Sequence, residues 1–151
     1  MLKTLIQEQY RDKVDQVSQL TGLVRPKEGW IRTLRKALGM SGPQLAMRLK
    51  VSKSQMSQME RFEIEDRITL KQLRKVAQAT DCELIYALVP RKPVNDMLWE
   101  RALEKAKALV EKTDVQMKLE AQQLSPSKLD EFIEKEAKRL MQDRPRDFWE
   151  G

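Results

Sequence analysis

The chain has no histidine, one cysteine, five glycines and six prolines in 151 residues, and only 5% of it is aromatic. The missing histidine removes the commonest general base and the commonest zinc ligand. With Cys82 alone, neither an internal disulfide nor a thiolate zinc site can form, and its apolar neighbours predict a buried small residue rather than a reactive thiol. No glycine-rich phosphate loop of the form G-x-x-x-x-G-K-[ST] occurs. No apolar run approaches the roughly 20 residues needed to span a bilayer, and the opening MLKTLIQEQY turns polar too soon for a signal peptide. A cytoplasmic protein without membrane association is therefore expected. Carboxylates cluster at Glu63, Glu65 and Asp66, but in a chain that is 34% charged such groups predict solvated surface. No catalytic constellation can be assembled, so neither an enzyme nor a metal or cofactor site is expected.

So few glycines and prolines leave long uninterrupted stretches, and 40% hydrophobic content arranged at helical period predicts a mainly α protein. Residues 41–61, SGPQLAMRLKVSKSQMSQMER, read as two short helices joined by a tight turn. Ser41 followed by Gln44, and Ser52 followed by Gln55, are two capping boxes: the serine accepts from an early backbone N–H while the glutamine reaches back. Leu45, Ala46 and Leu49 in the first helix, Val51 in the turn and Met56 and Met59 in the second take the inward positions. Lys53, Ser54, Ser57 and Gln58 are left facing outward from the second helix. Amide and ammonium groups hydrogen-bond base edges, and small serines permit close approach, so this set suits the major groove of DNA.

Charge points to the same segment. From Arg25 to Arg61 there are nine basic residues, including Arg35, Arg48, Lys50 and Lys53, against Glu28 and Glu60, a local net of +7 in a chain of +6. Residues 1–24 sum to 0, 62–112 to +1 and 113–151 to −2. A basic block coincident with two capped helices is the electrostatic footprint of a phosphate-binding surface, with Arg48 and Lys50 beside the turn as phosphate contacts.

Around that centre the chain divides into residues 1–24, 25–81, 82–90 and 93–151. Residues 2–20 predict an amphipathic helix with Leu2, Leu5, Ile6, Tyr10, Val14, Val17 and Leu20 on one side, broken by GLVRPKEG. A helix from Trp30 to Leu38 ends at Gly39, and another opens at Thr69 and runs to Ala79. CELIYALV, residues 82–89, predicts the one strand, stopped by Pro90 and without a partner in the chain; it is expected to pair with itself across a dimer, the alternative being an extended strap on the helical core. A helical extension follows. Asn95 is the expected cap of a helix to Glu111, a shorter stretch spans Asp114 to Leu124, and Ser127 is the expected cap of Lys128–Met141, with Leu129, Phe132, Ile133, Ala137 and Leu140 on one face.

TLRKALGMSGPQLAMRLKVSKSQMSQMER resembles the helix-turn-helix domain of the xenobiotic-response-element family of repressors and antitoxins. RPKEGWIRTLRKALGMSGPQLA with RITLKQLRKVAQATDCELIYALVPRKP resembles, more specifically, the family called mobile mystery protein A, encoded beside a Fic-domain protein on mobile elements. The resemblance implies a five-helix lambda-repressor-like helix-turn-helix domain, here with one β-strand and helical N- and C-terminal extensions. The function it implies is a dimeric transcription regulator that binds a double-stranded DNA operator near its own promoter, the antitoxin-like member of a pair with a Fic-domain protein. An alternative is an interaction protein that neutralises a Fic-domain partner by direct binding, with DNA binding secondary. Carried onto this chain, the repressor pattern places Ser52, Lys53, Ser54 and Gln58 at bases, Ser41 at a phosphate, and Arg35 with Glu60 in a buried structural pair. Two positions depart from it. Lys50 stands where the turn commonly has glycine, and no glycine closes the second helix after Glu60. The Fic-silencing pattern [ST]-x-x-x-E-[GN] is approached by Thr4–Glu8 and Ser127–Glu131 but fails at its last position in both.

Overall fold

A computed structural model describes residues 2–112, 121 and 126–151. Among them are seven α-helices: α1 Leu2–Asp15, α2 Trp30–Ala37, α3 Gly42–Leu49, α4 Lys53–Ile64, α5 Leu70–Ala79, α6 Val94–Glu111 and α7 Pro126–Asp143. The helical stretch expected between Asp114 and Leu124 lies outside the described residues. The chain forms two compact units, Gly22–Ala87 and Met1–Thr21 with Leu88–Gly151.

Gly22–Ala87 contains α2 to α5 around a core of Ile31, Leu45, Ala46, Met56, Met59 and Val76, with Met40, Leu49, Val51, Ile68 and Leu73 packed against it. Three successive helices start with capping boxes, at Ser41 with Gln44, Ser52 with Gln55 and Thr69 with Gln72. Each box satisfies backbone donors within one turn, so the ends of α3, α4 and α5 follow from local sequence alone. The start of α2 does not. Its cap position is Gly29 at φ 84°, with no side chain to offer, and the free N–H groups of Trp30 and Ile31 donate instead to Glu63 Oε2 and Oε1 at 2.7 and 2.9 Å. Glu63 is therefore buried at 4% exposure as the anion on the positive end of α2, correcting the expectation of a solvated carboxylate. A Cβ at position 29 would lie 2.7 Å from Glu63 Oε1, so glycine serves both the backbone angle and the close approach.

The other unit is built on α6 and α7. Leu98, Ala102, Ala106, Ala137, Leu140 and Phe148 form its core, supported by Val94, Trp99, Leu103, Ile133 and Met141. Ile133, Ala137 and Leu140 of the apolar stripe expected on the last helix thus join the core with α6. Phe148, which no periodicity marked, is buried at 1% exposure, and Arg101 holds the tail that carries it: its Nε donates to Phe148 O and its Nη2 to Glu150 O, both at 2.7 Å. The start of α6 also differs from expectation. Its cap position is Pro93, and the Val94 N–H donates to Asp15 Oδ1 at 3.1 Å, while Asn95 Oδ1 accepts from Arg11 Nη1 at 2.8 Å. The last helix begins at Pro126, ahead of Ser127.

Two further expectations are corrected. The N-terminal helix stops at Asp15 and tightens into a 3-10 turn, Gln16–Leu20. Residues 82–90 form no strand: they run without helix, turn or bend, and no described residue offers a second strand with which to build a ladder. β-propensity supplies side chains suited to a sheet, but a strand exists only through its neighbour's hydrogen bonds. Cys82, expected to be buried in that strand, is exposed.

Candidate nucleic-acid interface

The candidate interface consists of α3, the turn at residues 50–52 and α4. The Gln44 N–H donates to Ser41 Oγ at 3.2 Å and the Ser41 N–H to Gln44 Oε1 at 2.8 Å, and the same exchange at Ser52 and Gln55 is 3.0 Å in both directions. Between the boxes, the Val51 N–H donates to Ala46 O at 3.0 Å and the Lys50 N–H to Met47 O at 3.2 Å. These two bonds are those of a Schellman turn, which wants a left-handed residue at its centre. Lys50 occupies that place at φ 58° and ψ 41°, in the conformation that glycine adopts without strain. A lysine there costs about 1 kcal/mol in local backbone energy. Its side chain is exposed beside α4, so the strained residue also puts an ammonium group at the turn.

α4 buries Met56, Met59, Glu60 and Glu63 and exposes Lys53, Ser54, Ser57, Gln58 and Arg61 on its opposite face. Lys53, Ser54, Ser57 and Gln58 therefore share one solvent-facing surface. Ser52 is the cap itself: its oxygen is engaged by the Gln55 N–H, which fixes where the helix starts and keeps the residue at the helix end rather than along the exposed face. Ser41 stands in the same relation to α3, whose free N–H groups give that end a positive field. Arg48 is exposed, and its Nε donates to Ala79 O at 3.1 Å, so one edge of the guanidinium ties α3 to the end of α5.

Arg35 and Glu60 meet inside the domain. Arg35 Nε and Nη2 donate to Glu60 Oε1 and Oε2 at 2.7 and 3.3 Å, and Arg35 Nη1 donates to Met40 O at 3.0 Å. Arg32 adds a longer contact to Glu60 at 3.4 Å. The fork fixes the roll of α4 relative to α2, and hence which residues α4 turns outward.

These pairings divide the basic block. Arg25 is spent on the end of α4, donating to Glu63 O, Ile64 O and Asp66 Oδ1 at 2.7, 3.3 and 2.7 Å. Lys36 lies 2.7 Å from Glu28, and that hydrogen bond holds the Glu28 pKa below its ordinary value. Arg32 and Arg35 serve Glu60. Arg61 lies 3.8 Å from Glu65, while Lys27, Arg48, Lys50 and Lys53 have no ion pair among the described residues, so most of the uncompensated charge lies at the end of α3, the turn and the first turn of α4. A residue count could not make this division, because it depends on contacts far apart in sequence. Nor could it find Glu63 and Gly29, whose roles depend on residues of α2 and α4 meeting in space.

A family model described as helix-turn-helix matches residues 31–86. The segment is a helix-turn-helix domain of the xenobiotic-response-element type, and the match supports a DNA-binding transcription regulator. No curated protein and no solved structure matches the chain. No helix among the described residues is long and apolar enough to cross a membrane.

Proposed function

We propose that the chain is a cytoplasmic, dimeric, sequence-specific repressor of its own promoter, acting without catalysis as the antitoxin-like member of a pair with a Fic-domain protein. The observation that carries the DNA-binding part is the α4 face: Lys53, Ser54, Ser57 and Gln58 lie exposed together on a helix whose start is fixed by a capping box and whose roll is fixed by the Arg35–Glu60 fork. Lys50, Arg48 and Ser41 flank that face and would meet phosphates, which supply most of the affinity and none of the sequence preference. The Fic pairing rests on the resemblance of residues 25–93 to mobile mystery protein A. Footprinting on the DNA upstream of its own gene, with and without the neighbouring gene product, tests both parts. A protected palindrome is expected, with protection that changes when the neighbour is added. Uniform weak protection of all DNA would overturn the first part, and indifference to the neighbour the second.

One observation favours the alternative, in which capture of the Fic-domain protein is the main task. α1 exposes Leu2, Leu5, Ile6, Tyr10 and Val14 on one side, and an amphipathic helix with an open apolar side is a ready partner surface. Binding of the neighbour that survives in a Lys53→Ala, Gln58→Ala double variant but fails in an Ile6→Gln, Tyr10→Gln double variant would favour it.

A further inference from the structure

Residues 82–90 combine three properties, and within the chain the segment is touched at Tyr86, whose ring lies 6.0 Å from the Arg74 guanidinium. Their side chains are those of a strand, yet Ile85, Tyr86 and Leu88 are 71%, 63% and 93% exposed. The Cys82 N–H donates to Ala77 O at 2.8 Å, and from residue 83 to residue 92 no backbone group takes part in a backbone hydrogen bond among the described residues. Charges of opposite sign bracket the apolar run: Asp81 and Glu83 at its start, Arg91 and Lys92 at its end, Lys92 being already paired with Glu100. Glu83 and Arg91 have no ion pair among the described residues.

We infer that this segment is completed by the same segment of a second copy, in an antiparallel two-stranded ladder centred on Ala87. The inference deepens the dimeric reading above and rests on it. A partner strand would pair the backbone donors and acceptors that the chain leaves to solvent, and no described residue of the chain supplies one. The charge pattern selects the partner and its direction. Antiparallel self-pairing sets the acidic start of each strand against the basic end of the other, whereas parallel pairing would set like against like. In the register centred on Ala87, Glu83 faces Arg91 of the second copy, Ile85 faces Val89, Tyr86 faces Leu88, and Ala87 faces its own counterpart. Pro90 then falls opposite Leu84. Taking the Ala87 pair as hydrogen-bonded leaves Pro90 in a pair that needs no N–H from it, as a proline in a ladder must be. The two-fold axis through Ala87 makes the contact isologous and closed, so it stops at two copies.

The test uses the full chain and no DNA, so that it separates assembly from operator binding. Sedimentation should show a dimer that Glu83→Arg or Arg91→Glu weakens about tenfold, because each reversal sets like charges opposite twice per dimer, and that the double reversal restores. Both positions are exposed, so these variants keep their fold. In a Cys82→Ser background, Ala87→Cys should form an intermolecular disulfide on mild oxidation and Ile85→Cys should not, because only residue 87 faces itself. A dimer indifferent to both reversals would overturn the ladder and leave the dimer to another surface. A monomer would overturn the ladder and the dimeric reading together, leaving the segment to a strand of a different protein.

Discussion

α3 and α4 bury the side chains that their spacing marks as inward, while α1, which carries an equally regular apolar stripe, turns that stripe to solvent. Leu45, Ala46, Met56 and Met59 are at most 7% exposed, whereas Leu2, Leu5, Ile6, Tyr10 and Val14 are 71, 52, 43, 66 and 41% exposed. The difference lies in what holds each helix. α3 and α4 meet other apolar faces within the same unit. α1 is held by its polar edge, through Arg11 to Asn95 and through Asp15 to the Val94 N–H. Amphipathicity therefore says that a helix has an apolar face, not that its own chain covers it.

The largest loss on substitution is expected at the tail. Phe148→Ala should destabilise the terminal unit by about 3–5 kcal/mol, because a fully buried ring is lost from the α6–α7 core. Urea unfolding followed by tryptophan fluorescence measures it, and a loss below about 1 kcal/mol would mean that α6 and α7 do not depend on this plug. Gly29→Ala comes next, at about 2–3 kcal/mol, since an L side chain at φ 84° would also press on Glu63 Oε1. Its effect should appear in the helix-turn-helix domain, as loss of α2 and of DNA binding together. The smallest change is expected where the largest apolar side chains are most visible. Ile6→Gln with Tyr10→Gln should cost the isolated chain no more than about 0.5 kcal/mol, as exposed substitutions do. A larger loss on thermal melting of a dilute, monomeric sample would show that α1 is covered within one chain.

What could be read from the sequence followed the range of the interactions involved. The capping boxes at Ser41 and Ser52, the cap at Thr69 and the inward faces of α3 and α4 depend on residues three or four apart, and they were legible. The strain at Lys50 is legible only through the resemblance, because the repressor pattern commonly has glycine at that place. Glu63 and Gly29 were not, because one helix caps another only after both have packed, and a buried carboxylate reads like a solvated one in so charged a segment. Phe148 was missed because it belongs to no periodic stripe. At residues 82–90, strand propensity was read as a strand, although a strand also needs a partner that these described residues lack. The charge footprint falls largely within the helix-turn-helix domain but overstates the free charge there, since Arg25, Arg32, Arg35 and Lys36 are engaged in holding the domain together.

On the proposed reading the outward face of α4 contacts bases while its flanks hold phosphates. Competition binding of operator against scrambled duplex at fixed salt, with Lys53→Ala, Gln58→Ala and Arg48→Ala compared side by side, tests it most directly. Lys53→Ala and Gln58→Ala should each remove about 1–3 kcal/mol of preference for the operator, and Arg48→Ala should weaken both duplexes equally. Wild-type preference in the Lys53 and Gln58 variants would contradict the account.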